Sequence, residues 1–187
     1  MTDNKAKSII DDMFSSVLGS LPIINFAKVK PDAVIPSKRE EDGCYDVYAC
    51  FDEEFIEIPP FTIKLISTGI ASAFDNRFRF GIRERGSSGT KGLSFRSGQI
   101  DSGFRGEWFV PINNTTNKLI IIAKEDYVFD NNFLLDSNYI TLYPYEKAIC
   151  QVALEEVPKV QIKEIAYEDL LNIGSDRGLG MLGASGK

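Results

Sequence analysis

The sequence predicts an all-β fold, and two features support this prediction. Short apolar runs recur from Ile23 onward, with turn-forming residues between them. In the run 77–84 the alternation is strict: Phe78, Phe80 and Ile82 fall on one face of an extended strand and the arginines fall on the other. Many short strands separated by turns are typical of a sandwich, a jelly roll or a barrel.

Residues 5–20 come first, and their apolar residues recur at helical spacing up to Gly19, which predicts a short amphipathic helix. The predicted strands follow at 23–29, 45–49, 55–58, 61–68, 77–84, 108–113, 118–123, 139–142, 147–154 and 160–163. A proline-bounded, charged loop at 31–42 separates the first two strands. Residues 127–138 are mostly polar and are interpreted as an inserted loop. Residues 167–173 have weak helical spacing.

We therefore expect three parts: a helical extension at 1–22, a β domain at 23–173 and a C-terminal arm at 174–187. The arm is rich in glycine and has few residues that could pack, so we expect it to be mobile until a ligand or a neighbour orders it. The run 178–183 has the form G-x-G-x-x-G. Only four residues follow it, so the helix of a dinucleotide-binding motif cannot form there.

The composition excludes several classes of protein. Histidine is absent, which excludes Ser-His-Asp and Cys-His nucleophile systems and removes the commonest zinc ligand. Any general base must then be Asp, Glu, Lys, Tyr or Cys. The net charge of −6 argues against a nucleic-acid partner. Three cysteines without C-x-x-C spacing, no evident signal peptide and no 18-residue apolar stretch favour a cytoplasmic protein without a membrane partner.

The stretch 98–107 carries the strongest chemical signal. It sets Asp101 among glycines at a strand–turn junction, where the backbone can approach a ligand and the carboxylate can accept a proton from water. By itself the pattern is more typical of a hairpin in which the Asp side chain bonds its own backbone. The loop 86–92, flanked by Arg85 and Lys91, is either an anion-binding loop or a plain surface loop.

Five segments, taken in order, resemble the five motifs of the homotrimeric dUTPase family. They are 42–46 (DGCYD), 85–92 (RGSSGTKG), 98–107 (GQIDSGFRGE), 146–151 (EKAICQ) and 177–186 (RGLGMLGASG). The third is the most specific, close to the family's G-x-I-D-x-x-Y-R-G-E. The resemblance implies a dUTPase-like jelly-roll β-barrel subunit and a homotrimer with shared active sites. In such a trimer the glycine-rich arm of one subunit closes over the site formed between the other two.

The resemblance also implies a reaction. It is the hydrolysis of dUTP to dUMP and pyrophosphate by water attack on the α-phosphorus, with Asp101 as the general base and Mg²⁺ as the cofactor. A carboxylate base is also what a chain without histidine permits. Mg²⁺ would be held chiefly by triphosphate oxygens and waters. Asp46 matches the first-motif acid that supports this metal indirectly, unless it is only a turn-end Asp.

Further residues match the family's substrate contacts. Arg85, Gly86 and Ser87 correspond to the phosphate-binding second motif, with an uncertainty of one residue because the family usually has Arg-Ser-Gly. Gly98 and Ile100 belong to the hairpin whose backbone reads uracil, and Phe104 takes the place of the tyrosine that lies against the deoxyribose. Gln151 matches a phosphate or water contact, unless it is a solvent-facing strand residue. The arm contributes Arg177, which matches the arginine on the terminal phosphate, together with Leu182, Gly183 and Ser185.

Two departures concern the arm. Leu182 stands where the family has a phenylalanine that stacks on uracil, and Ala184-Ser185 replaces Ser-Thr. We therefore expect weaker ordering of the arm and a raised KM. Two alternatives stay open: a dCTP deaminase-like enzyme of the same fold, and a dUTPase-fold regulator acting through protein partners by its N-terminal helix and the 127–138 insertion. The insertions and divergent motifs favour a phage or bacterial origin.

Overall fold

A computed structural model describes residues 21–96, 98–125 and 136–180. The predicted N-terminal helix, most of the predicted insertion and the last seven residues of the arm lie outside these ranges. The chain divides into two compact units, Met1–Val157 and Pro158–Lys187. No helix within the described ranges has the length and apolar character needed to cross a membrane.

The first unit consists mainly of short strands. In chain order they are β1 (Ile24–Lys28), β2 (Tyr45–Val47), β3 (Phe55–Ile58), β4 (Ile63–Ser67), β5 (Ile70–Phe74), β6 (Phe78–Arg83), β7 (Leu93–Phe95), β8 (Gln99–Asp101), β9 (Phe109–Asn114), β10 (Leu119–Ala123), β11 (Ile140–Pro144) and β12 (Cys150–Glu156). One short helix, α1 (Gly86–Gly89), follows β6, and a second, α2 (Tyr167–Leu171), lies in the second unit. The mostly β prediction is confirmed.

Nine of the ten predicted strands are confirmed within a few residues, and the weak helix near residue 167 is confirmed as α2. The predicted strand at 160–163 is wrong. A strand needs a hydrogen-bonding partner, and no described strand pairs with this segment, where Val160 and Ile162 are 73% and 95% exposed. The sequence did not predict β5, β7 and β8. Two of these have only three residues, which is too short for alternation to be recognised.

The described strands form four sheets with the orders β1-β5, β11-β10-β3, β2-β12-β6-β8 and β4-β9-β7. Pairing is antiparallel except between β10 and β11. Non-consecutive strands are neighbours in every sheet, so distant parts of the sequence meet. The four-stranded sheet is the one that matters for function, because it joins four of the five motif-bearing regions of the sequence: β2, β6, β8 and β12.

The core contains residues of all four sheets, and Phe80 of the four-stranded sheet is fully buried in it. Its ring contacts Trp108, Phe74 and Phe26 at centroid separations of 5.4, 5.1 and 5.9 Å, in tilted or edge-on arrangements. Burying one such side chain stabilises the fold by about 1.5–3 kcal/mol. Because Phe80 and Ile82 face the core, Arg79 and Arg83 lie on the opposite face of the same strand and are exposed to solvent.

Candidate functional site

A cleft of about 700 Å³ is lined by three of the predicted site residues, Asp46, Arg85 and Gln151. Asp46 lies on β2 and Gln151 on β12, where the two residues are paired across the strands. The loop before β2 adds Lys38 and Arg39 to the wall. We call this the Arg85 cleft. Its three cations outnumber its two carboxylates, Asp42 and Asp46, which makes it suited to a phosphate-bearing ligand.

Arg85 is held by the protein itself. Its Nε lies 3.0 Å from Oδ1 of Asp46, and its Nη2 donates to Oδ2 at 3.1 Å. Its Nη1 donates to the carbonyl of Ala148 at 3.2 Å. Both side chains of the pair are about one-third exposed, so the guanidinium is oriented but still borders the cleft. Asp46, which we predicted to support a metal indirectly, balances the charge of Arg85 among the described residues.

Two buried groups lie close to Arg85. The hydroxyl of Tyr143 donates to Ala148 O at 2.6 Å, and burial raises the pKa of Tyr143, although the positive charge of Arg85 lowers it in part. Burial raises the pKa of the Cys150 thiol to about 12, and the negative charge of Asp46 adds to this effect. Cys150 is therefore a protonated core residue and not a nucleophile.

The loop after Arg85 contains two adjacent serines, Ser87 and Ser88, which differ in burial. Ser88 is fully buried, where its Oγ donates to Arg85 O and accepts from Arg85 N at 3.1 and 3.3 Å. Gly86 and Ser87 are exposed. Ser88 therefore stabilises the turn, and Ser87 is the serine available to a ligand.

The side chain of Gln151 is not directed freely into solvent. Its Nε2 donates to the carbonyl of Glu84 at 2.7 Å, and the residue borders the Arg85 cleft. This bond links β12 to the segment that leads into Arg85. The amide oxygen of Gln151 and the second N–H of its NH₂ group are left to face a ligand or to bind a water.

Asp101 and Phe104 line a second cleft, of about 300 Å³, which we call the Asp101 cleft. Asp101 ends β8 and is exposed, at the strand–turn junction predicted for it. Phe104 is 45% exposed and its ring lies on Gly106, where an added Cβ would stand 2.6 Å from the ring atom Cζ. The absence of a side chain at Gly106 therefore sets the position of this ring.

β8 is the last strand in its sheet, so one of its edges has no partner strand within the described residues. The carbonyl of Gly98 accepts from Ile82 N at 3.0 Å, and Ile100 pairs with Phe80 on the same neighbour. In an antiparallel ladder the intervening residue, Gln99, turns its backbone groups to the free edge. The predicted hairpin therefore offers Gln99 as the residue with free backbone groups, which sequence reasoning missed. The side chain of Ile100 is buried.

The two clefts occupy different ends of one sheet. Gln151 pairs with Arg83 near one end of β6, and Asp101 pairs with Arg79 near the other. Arg79 and Arg83 are four residues apart, which places the two pairs about 13 Å apart along the strand. One chain thus brings Asp46, Arg85 and Gln151 together but keeps them apart from Asp101.

The second unit contains the described part of the arm. Ser175 Oγ accepts from the backbone N–H groups of Arg177 and Gly178 at 3.3 and 3.1 Å, and Arg177 Nε donates to Gly180 O at 3.2 Å. The arm therefore begins as a local turn that holds Arg177 on the surface. Leu182, Gly183 and Ser185 lie outside the described residues.

Sequence reasoning also missed what supports the Asp101 cleft. Glu107 lines it, and one of its oxygens, Oε1, accepts from Gly69 N at 2.9 Å and from the hydroxyl of Ser67. Arg105 Nη1 donates to carbonyls of the turn 102–104 that follows Asp101. Both residues belong to the third segment, but only the folded turn reveals what they contact.

No protein-family model matches the chain. It is 32% identical over 99 residues to the deoxyuridine 5′-triphosphate nucleotidohydrolase of Leptospira interrogans, a match that covers 51% of this chain and 68% of the relative. It is 27% identical over 173 residues to the enzyme of the same name from Nautilia profundicola, which covers 88% and 99% of the two chains.

Solved structures agree with these relatives. A mutant dUTPase of Staphylococcus bacteriophage 80alpha with dUpNHpp matches with a TM-score of 0.67 at 18% identity, over 88% of this chain and 99% of the other. The native EIAV dUTPase matches with a TM-score of 0.56 at 17% identity, over 78% and 98%. The fold is thus that of the dUTPases, a class of β proteins that includes nucleotide hydrolases. With the sequence relatives, this likeness places the chain in the dUTPase family.

Proposed function

We propose that this protein hydrolyses dUTP to dUMP and pyrophosphate, with Asp101 as the general base. The observation that carries the proposal is the exposed carboxylate of Asp101 in a cleft beside the ring of Phe104, in a chain of the dUTPase family. A water at Asp101 gives up a proton to the carboxylate as its oxygen bonds to the α-phosphorus. The bond from the α-phosphorus to the bridging oxygen breaks, and pyrophosphate leaves with that electron pair.

The Arg85 cleft supplies the phosphate contacts in this proposal. Arg85 needs no reorganisation to meet a phosphate, because Asp46 and Ala148 already orient its guanidinium. Gly86 and Ser87 are exposed next to it, and Gln151 borders the same cleft. Such prepositioned donors stabilise the charge that develops on the transferred group.

The Asp101 cleft supplies the nucleoside contacts. Phe104 lies against the deoxyribose and leaves no room for a 2′-hydroxyl, a position supported by the seat of its ring on Gly106. The uracil ring of the substrate meets the backbone of the 98–100 hairpin. The backbone edge of Gln99 is free there, between Gly98 and Ile100, whose own groups face β6.

A complete site in this proposal needs two copies of the chain. The strand pairs that carry Gln151 and Asp101 lie about 13 Å apart along one sheet, so Asp101 of one subunit acts on a substrate whose phosphates lie in the Arg85 cleft of another. A homotrimer contains three such shared sites, one at each interface between subunits. Arg177 of the arm, followed by Leu182, Gly183 and Ser185, then covers the shared site and contacts the terminal phosphate.

The proposed cofactor is Mg²⁺, and the described residues fit a metal held mainly by the substrate. They contain no group of three acidic, cysteine or histidine side chains that could hold a metal ion. Asp46 is paired with Arg85, which leaves it suited to an outer-shell role. When bound with the triphosphate, Mg²⁺ neutralises phosphate charge. A relative from phage phi11 was described with a structural Mg(II) ion.

Pyrophosphate release, measured with dUTP, dTTP, dCTP and UTP in the presence of Mg²⁺, tests the proposal. We expect strong preference for dUTP, and a loss of about 10²- to 10⁴-fold in kcat for Asp101→Asn. The matched control, Asp169→Asn on α2, should keep wild-type activity. Chelation of Mg²⁺ should suppress the reaction. Unchanged hydrolysis by Asp101→Asn would refute the assignment of the base, and ammonia release from dCTP would identify a deaminase instead.

A further inference from the structure

The side chain of Gln99 joins the candidate base to an arginine on the neighbouring strand. Gln99 and Asp101 are two residues apart on β8 and therefore share its solvent face. Gln99 Nε2 donates to Asp101 Oδ1 at 3.0 Å, and Arg79 Nη1 donates to Gln99 Oε1 at 3.1 Å. The amide thus stands between a cation and the carboxylate.

The two bonds fix the orientation of the amide. A guanidinium can only donate hydrogen bonds, so Arg79 selects the oxygen end of Gln99 and leaves its NH₂ end for Asp101. Asp101 is directly opposite Arg79 in the strand register, yet the guanidinium pairs with Glu155 and not with Asp101. Gln99 therefore orients one oxygen of Asp101 without neutralising its charge. The other oxygen is left for a water.

The guanidinium of Arg79 is itself held by Glu155. Its Nε lies 3.0 Å from Glu155 Oε2, and the other oxygen of Glu155 contacts Arg83. The hydrogen bond from Arg79 lowers the pKa of Glu155, which keeps this carboxylate charged. Glu155 lies across Gly81, where a Cβ would stand 2.5 Å from Oε1. A side chain at position 81 would displace it.

We infer that Gln99 is a positioning residue for the general base, and that Arg79 acts on the base through Gln99. The inference rests on the proposed function, because it concerns the reaction of Asp101. It assigns a role to the variable position of the third segment, between Gly98 and Ile100, on the basis of the side-chain contacts alone. Substrate binding does not depend on this bond, so its loss should lower kcat and leave KM in place.

The test compares Gln99→Met, which keeps the size and removes the donor, with Gln99→Glu, which keeps the acceptor for Arg79. Gln161→Met in the second unit is the matched control. We expect kcat for dUTP to fall about tenfold for Gln99→Met and further for Gln99→Glu, with KM changed less than about twofold. Affinity for dUpNHpp should stay at the wild-type level in both variants. Gln161→Met should match wild type in all three measurements.

A double-mutant cycle tests the role of Arg79. If it acts through Gln99, Arg79→Met should lower kcat, and the Arg79→Met/Gln99→Met protein should be no slower than Gln99→Met alone. Additive losses would overturn this part of the inference. A wild-type chain that does not hydrolyse dUTP would overturn the proposed function and this inference together. A wild-type enzyme that is active, with Gln99→Met and Gln99→Glu equal to it in kcat, would overturn the inference alone.

Discussion

Arg85 and Asp46 make a two-point contact, with Nε and Nη2 of the arginine 3.0 and 3.1 Å from the two carboxylate oxygens. The residues are 39 positions apart in sequence and meet because β2 and β6 both pair with β12. Paired, parallel hydrogen bonds of this kind hold a guanidinium in one plane. The main candidate cation for phosphate is thereby oriented before any ligand arrives.

Removal of Asp46 should therefore affect binding more than folding. We expect Asp46→Ala to raise KM for dUTP several-fold, since Arg85 loses its fixed orientation. Because both side chains are partly exposed, stability should fall by only about 1 kcal/mol. Initial rates and thermal unfolding measure the two effects. Asp75→Ala is the control, because its ion-pair partner Arg77 is 62% exposed and neither residue lines the Arg85 cleft, and it should change neither quantity much. A wild-type KM for Asp46→Ala would contradict this prediction.

Discrimination against UTP should depend on Gly106. A methyl group there would stand 2.6 Å from Cζ of Phe104 and displace its ring. We expect Gly106→Ala to lower the ratio of kcat/KM for dUTP over UTP by about tenfold, a loss comparable with that for Phe104→Ala. Gly103→Ala in the same turn has no neighbour within 4 Å of the added methyl and should keep the ratio. An unchanged ratio in Gly106→Ala would mean that Phe104 does not exclude the 2′-hydroxyl.

Removal of the Asn114 side chain should lower the free energy of unfolding more than removal of most other polar side chains. It is fully buried, and its Nδ2 donates to the carbonyls of Ile58 and Lys118 at 2.8 and 2.7 Å, while Oδ1 accepts two bonds from Thr116. Asn114→Ala leaves these groups unpaired, and we expect a loss of about 2–4 kcal/mol in urea unfolding. The exposed Asn138→Ala should cost less than about 0.5 kcal/mol. Equal midpoints for the two variants would refute the prediction.

The buried thiol of Cys150 predicts a loss of stability in alkali. Its pKa rises from 9.0 to about 12 on folding. The folded state therefore keeps a proton that the unfolded chain loses above pH 9. Stability is complete below that pH and falls as the pH approaches 12, by up to about 1.4 kcal/mol per pH unit. When the free energy of unfolding in urea is measured across this pH range, it should fall less steeply with pH for Cys150→Ala than for wild type. Cys44→Ala keeps the Cys150 thiol and should retain the wild-type pH dependence. The same pH dependence in all three proteins would rule the effect out.

The strands with strong local patterning were predictable from sequence, and so was the junction that carries Asp101. Alternation along 77–84 identified β6 because every second residue faces the core. The failures share a physical cause, which is that pairing is not local. The segment 160–163 alternates but meets no described partner, whereas the three residues of β8 become a strand only because β6 lies beside them.

The candidate site was also predictable only in part from the sequence. Residue types and order along the chain identified Arg85, Asp101 and Gln151, because motifs are local. The choice between Ser87 and Ser88 required the burial of Ser88, which the flanking sequence does not encode in any simple pattern. The link from Arg79 through Gln99 depends on the register between β6 and β8, and register follows from the packing of the whole sheet.

The three-residue length of β8 has a consequence for solubility. An open strand edge that displays free backbone groups is a template on which other chains can assemble into aggregates. β8 is too short to seed such growth, its outer face carries an amide and an acid, and a turn ends it at once. Its length and polar outer face thus disfavour aggregation through an edge that has no partner strand among the described residues.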